Sequence, residues 1–173
     1  MWDNKDTCQS CRGCCKFRAD ETYFAPVFTA GEVEQIRAHG KPADGFTPHR
    51  GHDDVFQITL VPSALDPTWF VCPYLNEETH LCDIYSVRPT DCRIWPLLMM
   101  KDKEGQNTVL GCFHKRLCTR TGHLTEPEFE KHVAGLTAWF DKEDFIRHLR
   151  QSPGLAWDYE PDTIHVRTLD LLN

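Results

Sequence analysis

Nine cysteines are distributed unevenly along this chain of 173 residues, and their spacing constrains its fold more than any other feature. The N-terminal motif Cys8-Gln-Ser-Cys11-Arg-Gly-Cys14-Cys15 has successive two-residue gaps, which let one loop turn several sulfurs toward one centre. The remaining cysteines are widely separated and form no second Cys-x-x-Cys pair; they are Cys72, Cys82, Cys92, Cys112 and Cys118. Crowded thiolates repel one another unless a metal ion or a cluster binds them, so the motif predicts a metal centre.

Charge and hydropathy indicate where such a centre would work. The sequence Met-Trp-Asp-Asn-Lys-Asp at the start of the chain does not have the apolar core expected of a secretion signal. The longest apolar run, Trp95 to Met100, is too short to cross a bilayer. We therefore expect a cytoplasmic protein without a membrane partner, in a compartment where disulfides are rare. The 26 acidic and 19 basic side chains give a formal charge of -7, which argues against a nucleic-acid partner.

The spacing of the cysteines bears on which metal they bind. Four-thiolate zinc sites usually take two Cys-x-x-Cys pairs from separate segments. A triple run followed by a distant cysteine and a proline is typical of the [4Fe-4S] sites of bacterial ferredoxins, and Cys72-Pro73 can supply that fourth position. The predicted cluster ligands are Cys8, Cys11, Cys14 and Cys72. Cys15 either serves another centre or is an inert packed thiol.

Six short motifs follow one another in a specific order between residues 8 and 112. They are Cys8 to Cys15, Thr29-Ala-Gly-Glu32, Cys72-Pro-Tyr-Leu75, Cys82-Asp-Ile-Tyr85, Arg88-Pro89 and Cys92-Arg-Ile-Trp-Pro96. Together they resemble the YkgJ-type CxxCxxCC family, a zinc- or iron-chelating domain. The resemblance implies metal binding through eight cysteines and sets Cys118 aside; the eight are Cys8, Cys11, Cys14, Cys15, Cys72, Cys82, Cys92 and Cys112.

Flagellin lysine methylases carry a similar cysteine-rich segment that is associated with a [4Fe-4S] cluster, so the resemblance favours iron over zinc. It does not imply methyl transfer, because this chain lacks the bulk of such an enzyme. Eight cysteines equal two sets of four, which leaves open one cluster, two clusters, or a cluster with a separate zinc or structural set.

Other side chains near the cysteines have both a functional and a structural interpretation. Arg88 and Arg93 flank Cys92, and each would either donate hydrogen bonds to thiolates or pair with a carboxylate. His80 and His114 are the histidines that we consider as auxiliary ligands, against an ordinary surface role. Five bulky residues would shield a centre from water or simply belong to the core; they are Phe70, Tyr74, Tyr85, Trp95 and Pro96.

Local patterns predict both helices and strands. The Thr29-x-x-Glu32 capping box predicts a helix at 30–39, and alternation predicts a strand at 55–61. Two extended pieces, 69–75 and 81–85, read as a hairpin that brings Cys72 near Cys82. From Thr125 an apolar stripe predicts a helix or a helix pair that ends at Ser152.

We therefore expect a small single α+β domain over 1–173. Cysteine-rich loops and short strands in 8–118 would surround the metal centre, helices would pack on the outside, and 119–173 would form a helical extension. The expected function is [4Fe-4S] binding with a redox, electron-transfer or maturation role and a protein redox partner. The alternatives are a zinc-binding structural or trafficking module and an enzyme with an open iron site; no catalytic residue is predicted.

Overall fold

The computed structural model describes residues 14–114 and 121–171, in which helices alternate with several small antiparallel sheets. The predicted α+β class is confirmed. Cys8, Cys11 and Cys118 lie outside the described residues. The chain divides into two compact units, Met1–Arg93 and Ile94–Asn173. The single domain over 1–173, with its core at 8–118 and extension at 119–173, stays a prediction.

The first unit contains short strands grouped in three small sheets. Its strands are β1 (Lys16–Arg18), β2 (Val27–Thr29), β3 (Phe46–Pro48), β4 (Val55–Ile58), β5 (Val61–Pro62), β6 (Trp69–Val71), β7 (Leu75–Asn76) and β8 (Leu81–Cys82). The sheets have the orders β1-β6-β5, β2-β4-β3 and β7-β8. Helix α1 spans Ala30–Ala38, helix α2 begins at Thr90 and ends at Ile94, and 3-10 helices span Ala19–Phe24 and Tyr85–Val87.

Helix α1 forms where the capping box predicts it. The Thr29 Oγ1 atom accepts a hydrogen bond from the Glu32 backbone N–H at 3.2 Å, and Glu32 Oε2 accepts one from the Thr29 N–H at 2.9 Å. Both bonds satisfy N–H groups that lack partners within the helix. Val33 and Ile36 are buried on one face, and Gly40 follows the helix with a φ of 78°, a conformation that favours glycine.

The strand predicted at 55–61 is divided in two. β4 ends at Ile58 and pairs with β2 and β3, whereas Val61 begins β5 and pairs with β6. The Thr59 backbone N–H donates to the carbonyl of Gly45 at 2.6 Å and extends the pairing of β3 with β4 by one bond. The ladder with β6 begins at Val61, so the two halves of the predicted strand belong to different sheets.

The apolar core of the first unit includes some of the cysteines. Its buried members are Ala25, Phe28, Val33, Ile36, Ala43, Ile58, Cys72, Tyr74 and Ile84. Cys15 and Cys82 are partly buried and pack against this core. The cysteines are therefore held in place by the same packing that stabilises the unit.

The second unit combines a three-stranded sheet with a helix pair. Strands β9 (Leu97–Lys101), β10 (Thr108–Phe113) and β11 (Thr163–Thr168) form an antiparallel sheet with β10 in the middle. Helices α3 (Glu126–Phe140) and α4 (Phe145–Gln151) confirm the predicted helix pair. The apolar stripe is buried as its spacing indicates, at Phe129, Val133, Leu136, Phe140, Phe145 and Leu149. No helix in the described part of the chain has the length and hydropathy needed to cross a membrane.

Candidate metal centre

The pairing of β1 with β6 brings the N-terminal cysteines to Cys72. Lys16 lies opposite Val71 in this antiparallel pair, so the residue before β1 meets the residue after β6. The Cys72 backbone N–H donates to the Cys15 carbonyl at 3.0 Å and extends the ladder by one bond. Two cysteine segments separated by more than fifty residues therefore become neighbours at one end of a sheet.

A tight turn and a hairpin then bring Cys82 to the same place. The Leu75 N–H donates to the Cys72 carbonyl at 2.9 Å, and Leu75 pairs with Cys82 across β7 and β8. The predicted proximity of Cys72 and Cys82 is confirmed, because the charge of Cys82 contributes to the raised pKa of Cys72. The strands are shorter than predicted, since Trp69–Val71 pairs with β1 and β5 while only Leu75–Asn76 belongs to the hairpin.

Helix α2 carries Cys92. Its first residue, Thr90, is bound by the carboxylate of Glu32: Oε1 accepts from the Thr90 N–H at 2.6 Å and from the Thr90 hydroxyl at 2.8 Å. Asp91 Oδ2 accepts from the Val27 N–H at 3.2 Å. Both contacts fix α2 against the segment formed by β2 and α1.

We name the five cysteines that these elements bring together the thiol cluster: Cys14, Cys15, Cys72, Cys82 and Cys92. The thiols of Cys15 and Cys92 donate hydrogen bonds to the sulfur of Cys14, and the charges of Cys72 and Cys82 act on Cys15. The side chains of the adjacent residues Cys14 and Cys15 are thus joined by a hydrogen bond, whereas the side chains of adjacent cysteines usually point apart. No disulfide links any two of the six cysteines that the structure describes.

The pKa values of the thiol cluster are strongly displaced. Hydrogen bonds from Cys15 and Cys92, together with the positive charge of Arg88, lower the pKa of Cys14 well below its ordinary value. The same hydrogen bonds, in which Cys15 and Cys92 are donors, raise the pKa values of these two thiols, and burial raises them further. Burial also raises the pKa of Cys72 to about 12. Negative charge is therefore concentrated on Cys14.

The sulfurs are more enclosed than the residues as a whole. Cys72 is only 7% exposed, whereas Cys14, Cys15, Cys82 and Cys92 keep part of their surface in contact with solvent. The pKa shifts of Cys14, Cys15 and Cys92 nevertheless include a contribution from burial, so protein atoms surround these sulfurs. The thiol cluster lies near the surface of the first unit but is partly shielded from water.

Two aromatic residues and a cation lie beside the thiol cluster. The guanidinium of Arg88 stacks 3.9 Å from the centroid of the Tyr85 ring, and its Nε donates to the Tyr85 carbonyl at 3.2 Å. These contacts orient the cation that acts on Cys14. Tyr74 is buried, and its hydroxyl donates to the Pro42 carbonyl at 2.5 Å. Burial, with the nearby charge of Cys72, raises the pKa of Tyr74 to about 12.

The chemistry of the donors fits a thiophilic metal, although the side chains do not form a finished ligand set. Within residues 14–114 and 121–171, no group of three or more His, Cys, Asp or Glu side chains is arranged so that it could hold a metal ion. Instead, thiols of the cluster donate hydrogen bonds to a neighbouring sulfur, which requires that the donor thiols are protonated. Soft, clustered sulfur donors beside a cation are nonetheless what zinc and iron-sulfur sites use, and binding would require their deprotonation.

The other predicted candidates have different surroundings. Cys112 lies in β10 of the second unit and is fully buried at 0% exposure. Its thiol donates a hydrogen bond to the Phe113 carbonyl at 3.6 Å. Trp95 and His114 also belong to the second unit, where their rings lie near Phe113 and Phe129. His80 occupies the turn between β7 and β8 with a φ of 57°.

Sequence analysis did not identify the contacts that fix Cys92. Glu32 was interpreted only as part of a helix cap, and Asp91 received no role. Their partners lie about sixty positions away along the chain, so no local pattern could reveal them. The available signal was the occurrence of Thr29-Ala-Gly-Glu32 among the cysteine motifs.

Comparison with known proteins agrees with this chemistry. The CxxCxxCC family, described as a "putative zinc- or iron-chelating domain", matches residues 7–113, which is more than half of the chain. The match includes every residue of the thiol cluster as well as Cys8, Cys11 and Cys112. No curated protein and no solved structure is significantly similar to the chain. The protein belongs to the CxxCxxCC family of zinc- or iron-chelating domains.

Proposed function

We propose that Cys8, Cys11, Cys14 and Cys72 hold a [4Fe-4S] cluster and that the protein has a redox, electron-transfer or maturation role in the cytoplasm. The observation that carries this proposal is the convergence of five cysteine side chains in the first unit. The N-terminal motif adds Cys8 and Cys11, which lie six and three positions before Cys14. The triple cysteine run followed by the distant Cys72-Pro73 is the ligand spacing that favours a [4Fe-4S] cluster.

The proposed ligands of the cluster remain Cys8, Cys11, Cys14 and Cys72. Support for combining Cys14 with Cys72 comes from the effect of the Cys14 charge on the pKa of Cys72. The other four metal-ligand candidates form a second set or exchange with the first; they are Cys15, Cys82, Cys92 and Cys112. When bound, a [4Fe-4S] cluster supplies one-electron transfer, and a redox partner protein would then receive or deliver the electron.

The surroundings of the thiol cluster support an anionic metal centre. Four thiolates carry more negative charge than the metal neutralises, and the Arg88 guanidinium offers a fixed compensating charge. Its stacking on Tyr85 limits the loss of side-chain entropy when it makes this contact. The buried Tyr74 and the apolar core behind Cys72 exclude water from one side of the sulfurs.

Zinc is the second candidate, and the family description names it together with iron. After deprotonation and a rearrangement of their side chains, four cysteines of the thiol cluster would provide the sulfur ligands of a closed structural zinc site. Such a site would be redox-silent and would contribute to folding or to contact with a partner.

Anaerobic purification followed by iron, zinc and acid-labile sulfide analysis separates the two candidates. A [4Fe-4S] protein should contain about four iron and four sulfide per cluster, and the reduced form should give an electron paramagnetic resonance signal. Zinc without sulfide would contradict the iron-sulfur proposal and establish the second candidate.

A pair of cysteine variants tests the ligand assignment. Cys72→Ser should remove or strongly reduce the iron and sulfide, because it replaces a proposed ligand. Cys118→Ser is the matched control and should keep the wild-type content, since Cys118 is not among the eight candidate ligands. Unchanged iron and sulfide in Cys72→Ser would exclude Cys72 from the ligand set.

A further inference from the structure

The carboxylate of Glu32 joins the starts of two helices. Its Oε2 atom completes the capping box of α1 by accepting from the Thr29 N–H at 2.9 Å. Its Oε1 atom accepts two hydrogen bonds at the first residue of α2, from the Thr90 N–H at 2.6 Å and from the Thr90 hydroxyl at 2.8 Å. A helix cap needs only the first of these contacts, so the second set has another consequence.

That consequence concerns the placement of α2. The helix has five residues, too few to be stable through its own hydrogen bonds, and its position therefore depends on tertiary contacts. Thr90 is 1% exposed, so water cannot readily replace the hydrogen bonds that its N–H and hydroxyl make to Glu32. Asp91 provides a second contact that holds α2 in place, because its carboxylate accepts a hydrogen bond from the Val27 N–H of β2 at 3.2 Å.

Cys92 lies two residues after Thr90 in the same short helix, and its thiol donates to the sulfur of Cys14. We propose that Glu32 is a positioning residue that holds Cys92 in the thiol cluster ready for metal binding. Glu32 acts through Thr90 and the backbone of α2. This role rests on the proposed function only in treating Cys92 as a metal ligand.

Glutamine at position 32 should uncouple the helices. The amide group has one oxygen, so its NH2 group would face the backbone N–H of either Thr29 or Thr90, and in both orientations the side chain no longer bonds to both helix starts. The matched control is Glu34→Gln in the same helix, because Glu34 is exposed and pairs with Arg37 within α1. Both variants remove one negative charge from α1, but only Glu32→Gln changes the side chain that bonds to the starts of both helices.

The first readout is alkylation of the reduced, metal-free full-length chain by iodoacetamide, followed at each cysteine by peptide mass spectrometry. Glu32→Gln should accelerate labelling of Cys92 about tenfold, the effect expected when charge-assisted hydrogen bonds are lost and α2 opens locally. Labelling of Cys82, which the hairpin holds, should change less than twofold. Glu34→Gln should label Cys92 at the wild-type rate, and equal Cys92 rates in the two variants would overturn the proposal.

The second readout is zinc affinity, measured by competition with a chromophoric chelator. Glu32→Gln should bind zinc about tenfold more weakly than Glu34→Gln, because Cys92 must be repositioned before it binds. Equal affinities would contradict a role in metal binding. If the wild-type chain binds neither zinc nor iron, the proposed function fails, while the labelling of Cys92 still reports on the positioning by Glu32.

Variants of Thr90 keep the test decisive if Glu32→Gln fails to fold. Thr90→Val keeps the size of the side chain and the backbone N–H but removes the hydroxyl that donates to Glu32. Iodoacetamide should label Cys92 several times faster in Thr90→Val than in Thr90→Ser, which keeps the hydroxyl. Equal labelling rates at Cys92 in these two variants would overturn the proposal.

Discussion

At the scale of single residues, the thiol cluster separates its sulfurs by charge. The pKa of Cys14 is lowered, whereas those of Cys15, Cys72 and Cys92 are raised. Near neutral pH the metal-free protein is thus expected to carry a thiolate at Cys14 and protonated sulfurs at the other three. A metal that binds them all must displace their protons.

This difference predicts distinct pH profiles for alkylation of the metal-free, reduced protein. The thiolate is the nucleophile. The labelling rate of Cys14 should therefore reach its maximum before the pH is raised to 9 and should not increase further above that pH. The rate at Cys72 should rise about tenfold per pH unit until the pH approaches its pKa of about 12. Peptide mass spectrometry after brief exposure to iodoacetamide gives both profiles.

Differences in exposure alone would scale the two rates without changing the shape of their pH profiles. Parallel profiles for Cys14 and Cys72, with the same midpoint, would therefore contradict the charge separation.

Arg88 is the second residue whose role can be measured. Arg88→Gln removes the cation that acts on Cys14 and should weaken zinc binding by about 1 kcal/mol, roughly fivefold, for a partly exposed charge. Arg37→Gln is the control, because Arg37 is exposed and pairs with Glu34 within α1. Equal zinc affinities of Arg88→Gln and Arg37→Gln in a chelator competition would show that Arg88 does not compensate the charge of the centre.

At the scale of elements, the hairpin of β7 and β8 that places Cys82 depends on a carboxylate. Glu77 lies in its turn and accepts a hydrogen bond from the Ser63 hydroxyl and one from the Ala64 N–H at 2.8 Å. These bonds lower the pKa of Glu77, which means that the folded state favours its ionised form. The hairpin is thereby fastened to the loop between β5 and β6.

Glu77→Gln should lower the free energy of unfolding at pH 7 by about 1 kcal/mol, a value reduced to allow for solvent exposure. Because the pKa of Glu77 is lower in the folded state, its contribution is present above the unfolded value of about 4.3 and is lost as the pH falls through the folded value. Urea denaturation at pH 7 and at pH 3 measures the difference, which should be smaller at pH 3.

The neighbouring Glu78→Gln provides the control, since Glu78 is exposed and its side chain is not in the contact with Ser63. If Glu77→Gln and Glu78→Gln have the same stability at pH 7, the carboxylate of Glu77 does not fasten the hairpin.

Sequence patterns predicted some of the helices and strands but not others. α1, α3 and α4 form where caps and apolar stripes predict them, because their signals are local. β9 and β10 were not predicted, since nearly all of their residues are buried and their sequences show no alternation of apolar and polar residues. β11 was missed although Ile164 and Val166 alternate with polar residues, because the C-terminal segment was interpreted as helical.

The candidate site was predictable in composition but not in detail. Cysteine spacing and motif order predict the zinc- or iron-chelating family, and the hairpin pattern correctly brings Cys72 near Cys82. The meeting of Cys15 with Cys72 depends on the β1–β6 register, and the placement of Cys92 depends on Glu32. Both are contacts between distant segments, which local patterns do not encode.

At the scale of the whole molecule, metal binding is expected to add to stability. The first unit has short strands and a small apolar core that includes Cys72, so a metal that cross-links its cysteines holds distant segments together. A ligand that binds only the folded state stabilises it by about 2.7 kcal/mol at a hundred times its dissociation constant.

Removal of the metal by a chelator should therefore lower the unfolding midpoint by about 5 to 10 °C for a chain of this size. The single domain predicted over 1–173 should unfold in one cooperative transition when loaded with metal. Differential scanning calorimetry before and after chelation, and again after metal is restored, measures both properties. An identical midpoint in the two forms would contradict a metal that supports the fold.

X-ray absorption spectroscopy at the iron and zinc edges of the anaerobically purified protein tests the central claim most directly, because it reports the atoms bound to the metal. The account predicts iron surrounded only by sulfur, with neighbouring iron atoms at short range, as a [4Fe-4S] cluster requires. Zinc surrounded by four sulfurs at about 2.3 Å would support the second candidate and contradict the cluster. A metal bound mainly by nitrogen or oxygen would contradict the role of the thiol cluster itself.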